Sequence, residues 1–258
     1  MPESLPVLDL LLRSARLQPG VRLQAVPRHA FTSELVAELY LMAHGLMAED
    51  QELFDTHAYT NDVVHVFRRV DSDELVGFQF WRTAPMTLPG CRAILGGKLR
   101  IAPAVRGRGL HLLSGLLFFL QSKRRRPLTR FYRLSIASLF GFVSITESLR
   151  HYQVFDPHDL SPEGRAITAA FIDLATDNHC RLDLNTGLVT ADIHITQDTV
   201  RQYGQAYFER PAAQRYINLN PGYYEDGSFL SFWYRFSAAN LTAIVRTITR
   251  KMWRKGRR

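Results

Sequence analysis

A basic turn with two glycines is the segment of this sequence whose residue types are best suited to bind an anion. Residues 99–111 read Leu-Arg-Ile-Ala-Pro-Ala-Val-Arg-Gly-Arg-Gly-Leu-His, and a strongly apolar helix is predicted to begin inside the segment. Gly107 and Gly109 allow successive backbone N–H groups to face one concavity, and the helix N-terminus adds unpaired donors and a partial positive charge. Arg106 and Arg108 add two full charges. The chemistry indicated is the binding of a diphosphate.

The same turn departs from the two common nucleotide-binding patterns. It lacks the G-x-G-x-x-G of a dinucleotide fold and the Gly-Lys-Ser/Thr ending of a P-loop. A plain glycine-rich connection with solvated arginines is the alternative interpretation, so the elements around the turn must decide between the two.

Hydrophobic periodicity places the turn among short strands and helices. The predicted strands are 21–26, 62–70, 75–82, 93–101 and 131–136, and the predicted helices are 32–54, 107–122 and 139–151. Such alternation with short connections indicates one mixed α/β domain over residues 21–155. Residues 156–236 carry further helical and strand-like stretches. The pattern leaves open whether they complete the first sheet or form a small second domain.

This order of elements, together with the sequence motif I-A-P-x-V-R-G-R-G-L from residue 101, resembles the GCN5-related N-acetyltransferase (GNAT) superfamily. The family signature is Arg/Gln-x-x-Gly-x-Gly/Ala between the fourth strand and the third helix. Arg106 and Gly109 match its first two fixed positions, and His111 stands where the family has Gly or Ala. The resemblance implies an α/β (mixed α+β) fold with a central, mostly antiparallel sheet flanked by helices and a C-terminal extension.

The resemblance also implies an acyl-CoA site. Backbone groups of Leu99, Arg100 and Ile101 would pair with the pantetheine arm of the cofactor. The pyrophosphate would be held by the turn, which comprises Arg106, Gly107, Arg108, Gly109, Leu110 and His111. The implied co-substrate is acetyl-CoA or a longer acyl-CoA, with no metal.

The catalytic residues implied by the family are harder to place. Many members have a Glu near the fourth strand as base and a Tyr in the fourth helix as acid, but residues 93–101 contain no carboxylate. Tyr152 is the candidate acid. His151 or His65 is the candidate base, because imidazole titrates near neutral pH. An ordinary packed or exposed side chain is the alternative interpretation for each of them.

Length and composition indicate a globular protein. Of the 258 residues, 46% are hydrophobic and 22% are charged, which excludes disorder and collagen. The N-terminus has no basic region typical of a secretory signal, and the apolar run 110–120 is about half of the ~20 residues that a membrane-spanning helix needs. Cys91 and Cys180 give no disulfide framework, and His179, Cys180 and His194 are too loosely spaced for a metal site. We therefore expect a cytoplasmic protein.

Positive charge is concentrated in two stretches of the chain. Residues 75–155 carry 13 basic side chains and one acid, and residues 227–258 carry 8 basic side chains and no acid. Residues 237–258 are predicted to form a basic amphipathic helix and tail with Trp253 near its end. Such a helix could bind an anionic membrane surface, which would make the protein peripheral, or an acidic acyl carrier protein. Alternatively, its apolar stripe docks on the domain.

The resemblance, with the turn and the order of elements that carry it, implies an acyltransferase that moves an acyl group, in the first instance acetyl, from a CoA thioester to an amine by direct attack. The alternative is a non-catalytic protein of GNAT fold whose basic surfaces contact anionic lipid, an acidic carrier protein or nucleic acid. Nucleic acid is the least expected of these partners.

Overall fold

The computed structural model describes residues 15–18, 20–46, 50–191, 195 and 197–255. The described strands form one sheet with helices on both faces. The strands are β1 (Ala15–Gln18), β2 (Val21–Pro27), β3 (Val63–Arg69), β4 (Leu75–Pro85), β5 (Cys91–Ile101), β6 (Arg130–Ala137), β7 (Gln153–Val154), β8 (Arg181–Leu182), β9 (Leu188–Thr190) and β10 (Ser228–Arg235). The helices are α1 (Ser33–His44), α2 (Gln51–Tyr59), α3 (Leu110–Arg125), α4 (Leu139–Thr146), α5 (Pro162–Asp177), α6 (Gln197–Arg201), α7 (Gln205–Phe208), α8 (Pro211–Leu219) and α9 (Ala238–Lys255).

The sheet is mostly antiparallel, as predicted. Its strand order is β1-β2-β3-β4-β5-β6-β10-β9-β8, with β7 also paired to β10. The exception is the parallel pair β5–β6, which the chain connects through α3. Because β10 pairs with β6 from Leu230 to Arg235, the chain after residue 155 extends the same sheet. The predicted fold class is confirmed.

Alternation along the strands divides the core between the two faces. On one face, Phe78 and Phe80 of β4 pack under α1 and α2, and Leu95 of β5 packs under α5. On the other face, Trp81 of β4 packs under α3, and Phe232 of β10 packs under α4, α8 and α9. Period-two burial of this kind is what positions α2 and α3 on opposite sides of the central strands.

The single helix predicted over 32–54 is wrong, because the structure has two helices there. Gly45 ends α1, and the Asp50 side chain begins α2 by accepting a hydrogen bond from the Leu53 N–H at 3.0 Å. An Asp at this position satisfies a backbone donor that would otherwise be unpaired. The helix predicted over 139–151 likewise ends early, at Thr146.

The C-terminal helix docks on the domain through its apolar stripe. Ile244 and Ile248 of α9 are buried in the same cluster as Phe232. Asn240 ties the start of the helix down, because its side chain bonds the backbone of His151 and Arg235. The described part of α9 therefore presents its polar face outward. The side chain of Trp253 and residues 256–258 lie outside the described part of the chain.

Among the described helices, none combines the length and the apolar content that crossing a bilayer requires.

Candidate functional site

A cleft opens where the two parallel strands at the centre of the sheet separate. β5 and β6 pair from Cys91–Arg130 to Leu95–Leu134 and part beyond that point. The resulting cleft has a volume of about 430 Å³. Its lining comes from both faces of the sheet, with His57 of α2 on one side and Ser144 of α4 on the other. The opening therefore leads through the sheet.

One wall of the cleft is the edge of β5 from Gly96 to Ile101. These six residues all line the cleft, and on this side they have no partner strand among the described residues. The pairing with β4 is irregular between Phe78 and Phe80, and Lys98 has a positive φ of 43°, which marks a bulge. An open strand edge can bind an amide-containing chain as an additional strand. Leu99, Arg100 and Ile101, the residues predicted to bind pantetheine, belong to this edge.

The predicted anion-binding turn lies at the end of the same edge. Gly107 and Gly109 adopt φ values of +75° and +78°, a left-handed conformation that only glycine adopts at little cost. Gly109 is the residue before α3, so the N–H groups of Leu110 and His111 lie in the first turn of the helix. Neither donates to another backbone carbonyl in the described part of the chain. The turn therefore has the conformation that anion binding requires.

The residues of the turn divide into two groups. Arg106, Gly107 and His111 line the cleft, whereas Leu110 is buried in the core beneath β2 and β3. The Arg106 guanidinium donates from Nε to the Ile101 carbonyl at 3.0 Å and from Nη1 to Gln202. Gly109 is covered by α9, because a Cβ built there would lie 3.3 Å from Cδ of Lys251.

Charge along the cleft is predominantly positive. Its cationic lining residues are Arg82, Lys98, Arg100, Arg106 and Arg133, and its described carboxylates are Asp50 and Asp177. Asp177 is occupied by Arg82, whose Nη2 lies 2.6 Å from the carboxylate oxygen. A surplus of cations favours an anionic ligand.

His111, the departure from the family signature, contacts α4. Its Nε2 lies 3.0 Å from Oγ of Ser144, so the side chain spans the cleft from α3 to α4. Burial, with a further contribution from the charge of Lys251, lowers the pKa of His111 to about 3. The imidazole is therefore neutral near pH 7.

The structure does not bring the predicted catalytic residues to the cleft. The Tyr152 hydroxyl accepts a hydrogen bond from Arg215 at 3.2 Å, and its ring packs against Phe142. His151 is exposed, and only its backbone is held, by Asn240. His65 is buried in the core, where Nδ1 lies 2.8 Å from Oγ of Ser114. None of the three predicted residues lines the cleft. The roles predicted for them stay predictions.

Sequence reasoning missed His57, which the structure places in the cleft. Its Nε2 is buried with no hydrogen-bond partner among the described residues. A Cβ at Gly97 would lie only 2.3 Å from this atom, so glycine is what admits the ring. Burial, followed by the charge of Lys98, lowers the pKa of His57 to about 3. The pair Gly96-Gly97 inside a strand was the available signal, since glycine there often marks a close approach.

No group of three or more His, Cys, Asp or Glu side chains within the described ranges could hold a metal ion. His194, considered with His179 and Cys180 in the sequence, lies outside those ranges.

Comparison with solved structures finds several matches of low sequence identity. The chain is similar to Escherichia coli ElaA (14% identity, 52% of this chain and 88% of that one, TM-score 0.37). It is also similar to a probable GNAT-family acetyltransferase from Chromobacterium violaceum (15% identity, 87% and 86%, TM-score 0.36). A third match is a GNAT-family acetyltransferase from Elizabethkingia anophelis with acetyl-CoA bound (11% identity, 56% and 87%, TM-score 0.33).

No protein-family model matches the chain, and no curated protein is significantly similar to it in sequence. Because the identities are 15% or less and the TM-scores are below 0.5, the activity of this chain has to be inferred from its own cleft.

Proposed function

We propose that this protein is an acyltransferase that moves an acyl group from a CoA thioester to an amine. The observation that carries the proposal is the continuity of two features. The open edge of β5, residues 96–101, runs directly into the two-glycine turn at the N-terminus of α3. An extended arm with amides followed by a diphosphate has the chemistry to fit both features at once.

In this proposal the backbone of Leu99, Arg100 and Ile101 pairs with the pantetheine arm. The turn from Arg106 to His111 holds the diphosphate, with the N–H groups of Leu110 and His111 as donors. The thioester then lies in the opening between β5 and β6, and the amine enters from the side of α2.

The reaction joins the amine nitrogen to the thioester carbonyl carbon and breaks the carbon–sulfur bond. The nitrogen loses a proton and the departing sulfur gains one, so the products are an amide and free CoA. His57 can accept a hydrogen bond from the amine but is a weak proton acceptor, because its pKa is lowered to about 3. The amine would therefore react as its free base. The Ser144 hydroxyl is a candidate proton donor, since it lines the same cleft and is held by His111.

The proposal predicts that filling the turn weakens CoA binding. Gly107 lines the cleft and has open space around its Cα, so the indole of Gly107→Trp would occupy the part of the cleft next to the turn. Gly90 is a matched control because it has a similar φ of +70°, equally open surroundings and no part in the cleft. Both variants carry the same backbone strain, roughly 1 kcal/mol.

Calorimetry with acetyl-CoA and decanoyl-CoA is the measurement, with circular dichroism to confirm folding. We expect Gly107→Trp to weaken binding at least about tenfold, which corresponds to roughly 1.4 kcal/mol, and Gly90→Trp to bind like the wild type. The preferred acyl length would define the donor. A wild-type protein that binds neither ligand would overturn the proposal.

A further inference from the structure

A buried arginine lies at the floor of the cleft, where β5 and β6 separate. Arg133 of β6 is only 4% exposed, yet it is one of the residues that line the opening. Gly96 of β5 makes room for its guanidinium, since a Cβ there would lie 2.6 Å from Nη2. The side chain therefore occupies space that any other residue at position 96 would fill.

The groups that contact this guanidinium are neutral. Nη1 donates to the carbonyl oxygens of Ile94 at 3.2 Å and Leu134 at 2.7 Å, and the Trp81 ring lies 4.8 Å from Cζ. No carboxylate among the described residues forms an ion pair with Arg133. Burial lowers the pKa of Arg133 to about 10, so the group still carries its charge at neutral pH. A buried cation without an anion is costly, and a guanidinium has five N–H donors to offer.

Two further polar side chains on the same side of the sheet each have a buried oxygen without a partner among the described residues. Gln79 and Ser135 are both buried and both line the cleft. Neither Oε1 of Gln79 nor Oγ of Ser135 has a hydrogen-bond partner among the described residues. Gln79 lies two residues before Trp81 on β4, and Ser135 lies two residues after Arg133 on β6, so alternation puts all of them on one face.

We propose that Arg133, with Ser135 beside it, binds a carboxylate carried by one of the two substrates. A guanidinium is the side chain best matched to a carboxylate, and the Ser135 hydroxyl can donate a further hydrogen bond. The unpartnered Oε1 of Gln79 is an acceptor, so Gln79 could bond the carboxylate only through its Nε2. The carboxylate belongs either to a dicarboxylic acyl group on the donor or to an amino acid acceptor. This inference rests on the proposed acyltransferase function and specifies its substrate class.

Two experiments on the wild-type protein distinguish the two sources. In the donor experiment, calorimetry compares succinyl-CoA with butyryl-CoA, which has the same four-carbon chain without the carboxylate. In the acceptor experiment, the protein is given whichever CoA thioester it binds, together with a mixture of the standard amino acids or a mixture of their amides. Mass spectrometry then quantifies the acylated products. We expect a preference of at least about tenfold for the carboxylate in one of the two experiments, the size typical of a hydrogen-bonded charge.

Variants of Arg133 test the residue itself. Arg133→Gln is expected to abolish that preference, which is measured within each variant as the ratio of the carboxylate ligand to its neutral analogue, so that a general change in CoA binding cancels. Arg133→Lys keeps the charge and should retain part of the preference. It is the variant that tests Arg133 if Arg133→Gln does not fold. An equal loss of binding for succinyl-CoA and butyryl-CoA would instead place Arg133 against the thioester and overturn the inference.

The remaining outcomes separate this inference from the proposed function. If CoA thioesters bind and neither experiment shows a preference for the carboxylate, the inference fails and the acyltransferase proposal stands. If no CoA thioester binds at all, the acyltransferase proposal fails first.

Discussion

Between pH 7.5 and pH 5, the wild-type protein is expected to lose about 2 kcal/mol more stability than the His65→Asn variant, at about 1.4 kcal/mol for each pH unit below the unfolded pKa. His65 of β3 is fully buried beneath α3, and this burial lowers its pKa from 6.5 to about 3. Between these two pH values the unfolded chain binds a proton that the folded chain does not. The stabilisation is therefore complete above pH 6.5 and is lost as the pH falls toward 3.

The geometry around His65 explains why it stays neutral. Trp81 donates from Nε1 to Oγ of Ser114 at 2.8 Å, and the Ser114 hydroxyl can in turn donate to Nδ1 of His65. Nε2 has no partner among the described residues. A second proton on the ring would therefore place a positive charge in the core while the Nε2–H group has no acceptor among the described residues.

Urea unfolding followed by circular dichroism at pH 5, 6 and 7.5 measures this effect. His65→Asn has no titrating ring at this position. The comparison uses the change of its unfolding free energy with pH, because its stability at a single pH also includes the effect of repacking. His158→Asn is the control for the substitution itself, since His158 lies exposed on a loop outside the core. Parallel curves for the wild type and His65→Asn would show that His65 is protonated in the folded state.

Trp81→Ala is expected to destabilise the fold by about 3–5 kcal/mol, the range for removing a large buried aromatic side chain. Trp81 is 2% exposed and stacks on Phe118 with ring centroids 5.4 Å apart. Its loss would leave a cavity beneath α3, remove the ring over Arg133 and remove the donor to Ser114. Three unfavourable effects therefore coincide at one position.

Trp81→Phe separates these contributions. It keeps an aromatic ring in the core and loses only the indole N–H and part of the volume, so we expect a loss of about 1–2 kcal/mol. Denaturant melts at pH 7.5 measure both variants. If Trp81→Phe is as destabilised as Trp81→Ala, the hydrogen bond to Ser114 matters more than the packing. If both are near the wild type, the packing beneath α3 is looser than the structure shows.

The turn could be predicted from sequence because its conformation is local. Gly107 and Gly109 both adopt the left-handed φ that their residue type favours, and the helix begins immediately after them. The periodicity of α9 was equally local, and docking of its apolar stripe was one of the two interpretations it allowed. Features that depend on spacing within a few residues were thus available without the fold.

The opposite wall of the cleft could not be predicted because it depends on tertiary packing. His57 reaches the cleft only because α2 ends above Gly97 on β5, 40 residues later in the chain. Tyr152 is turned away because Arg215, from a helix in the extension, contacts both its hydroxyl and its ring. Arginine is usually exposed, so the residue type gave no sign that Arg133 is buried. It is buried because β6 lies in the middle of the sheet, between β5 and β10.

The separation of β5 from β6 also has a mechanical consequence. In the described part of the chain, the sheet consists of two halves, β1–β5 and β6–β10, whose backbones pair with each other only from Cys91 to Leu95 of β5. A ligand bound between the two halves would fill the gap between β5 and β6 and connect the halves beyond the paired segment. Ligand binding and resistance to local opening would then rise together, and amide hydrogen exchange would slow most at the paired segment itself.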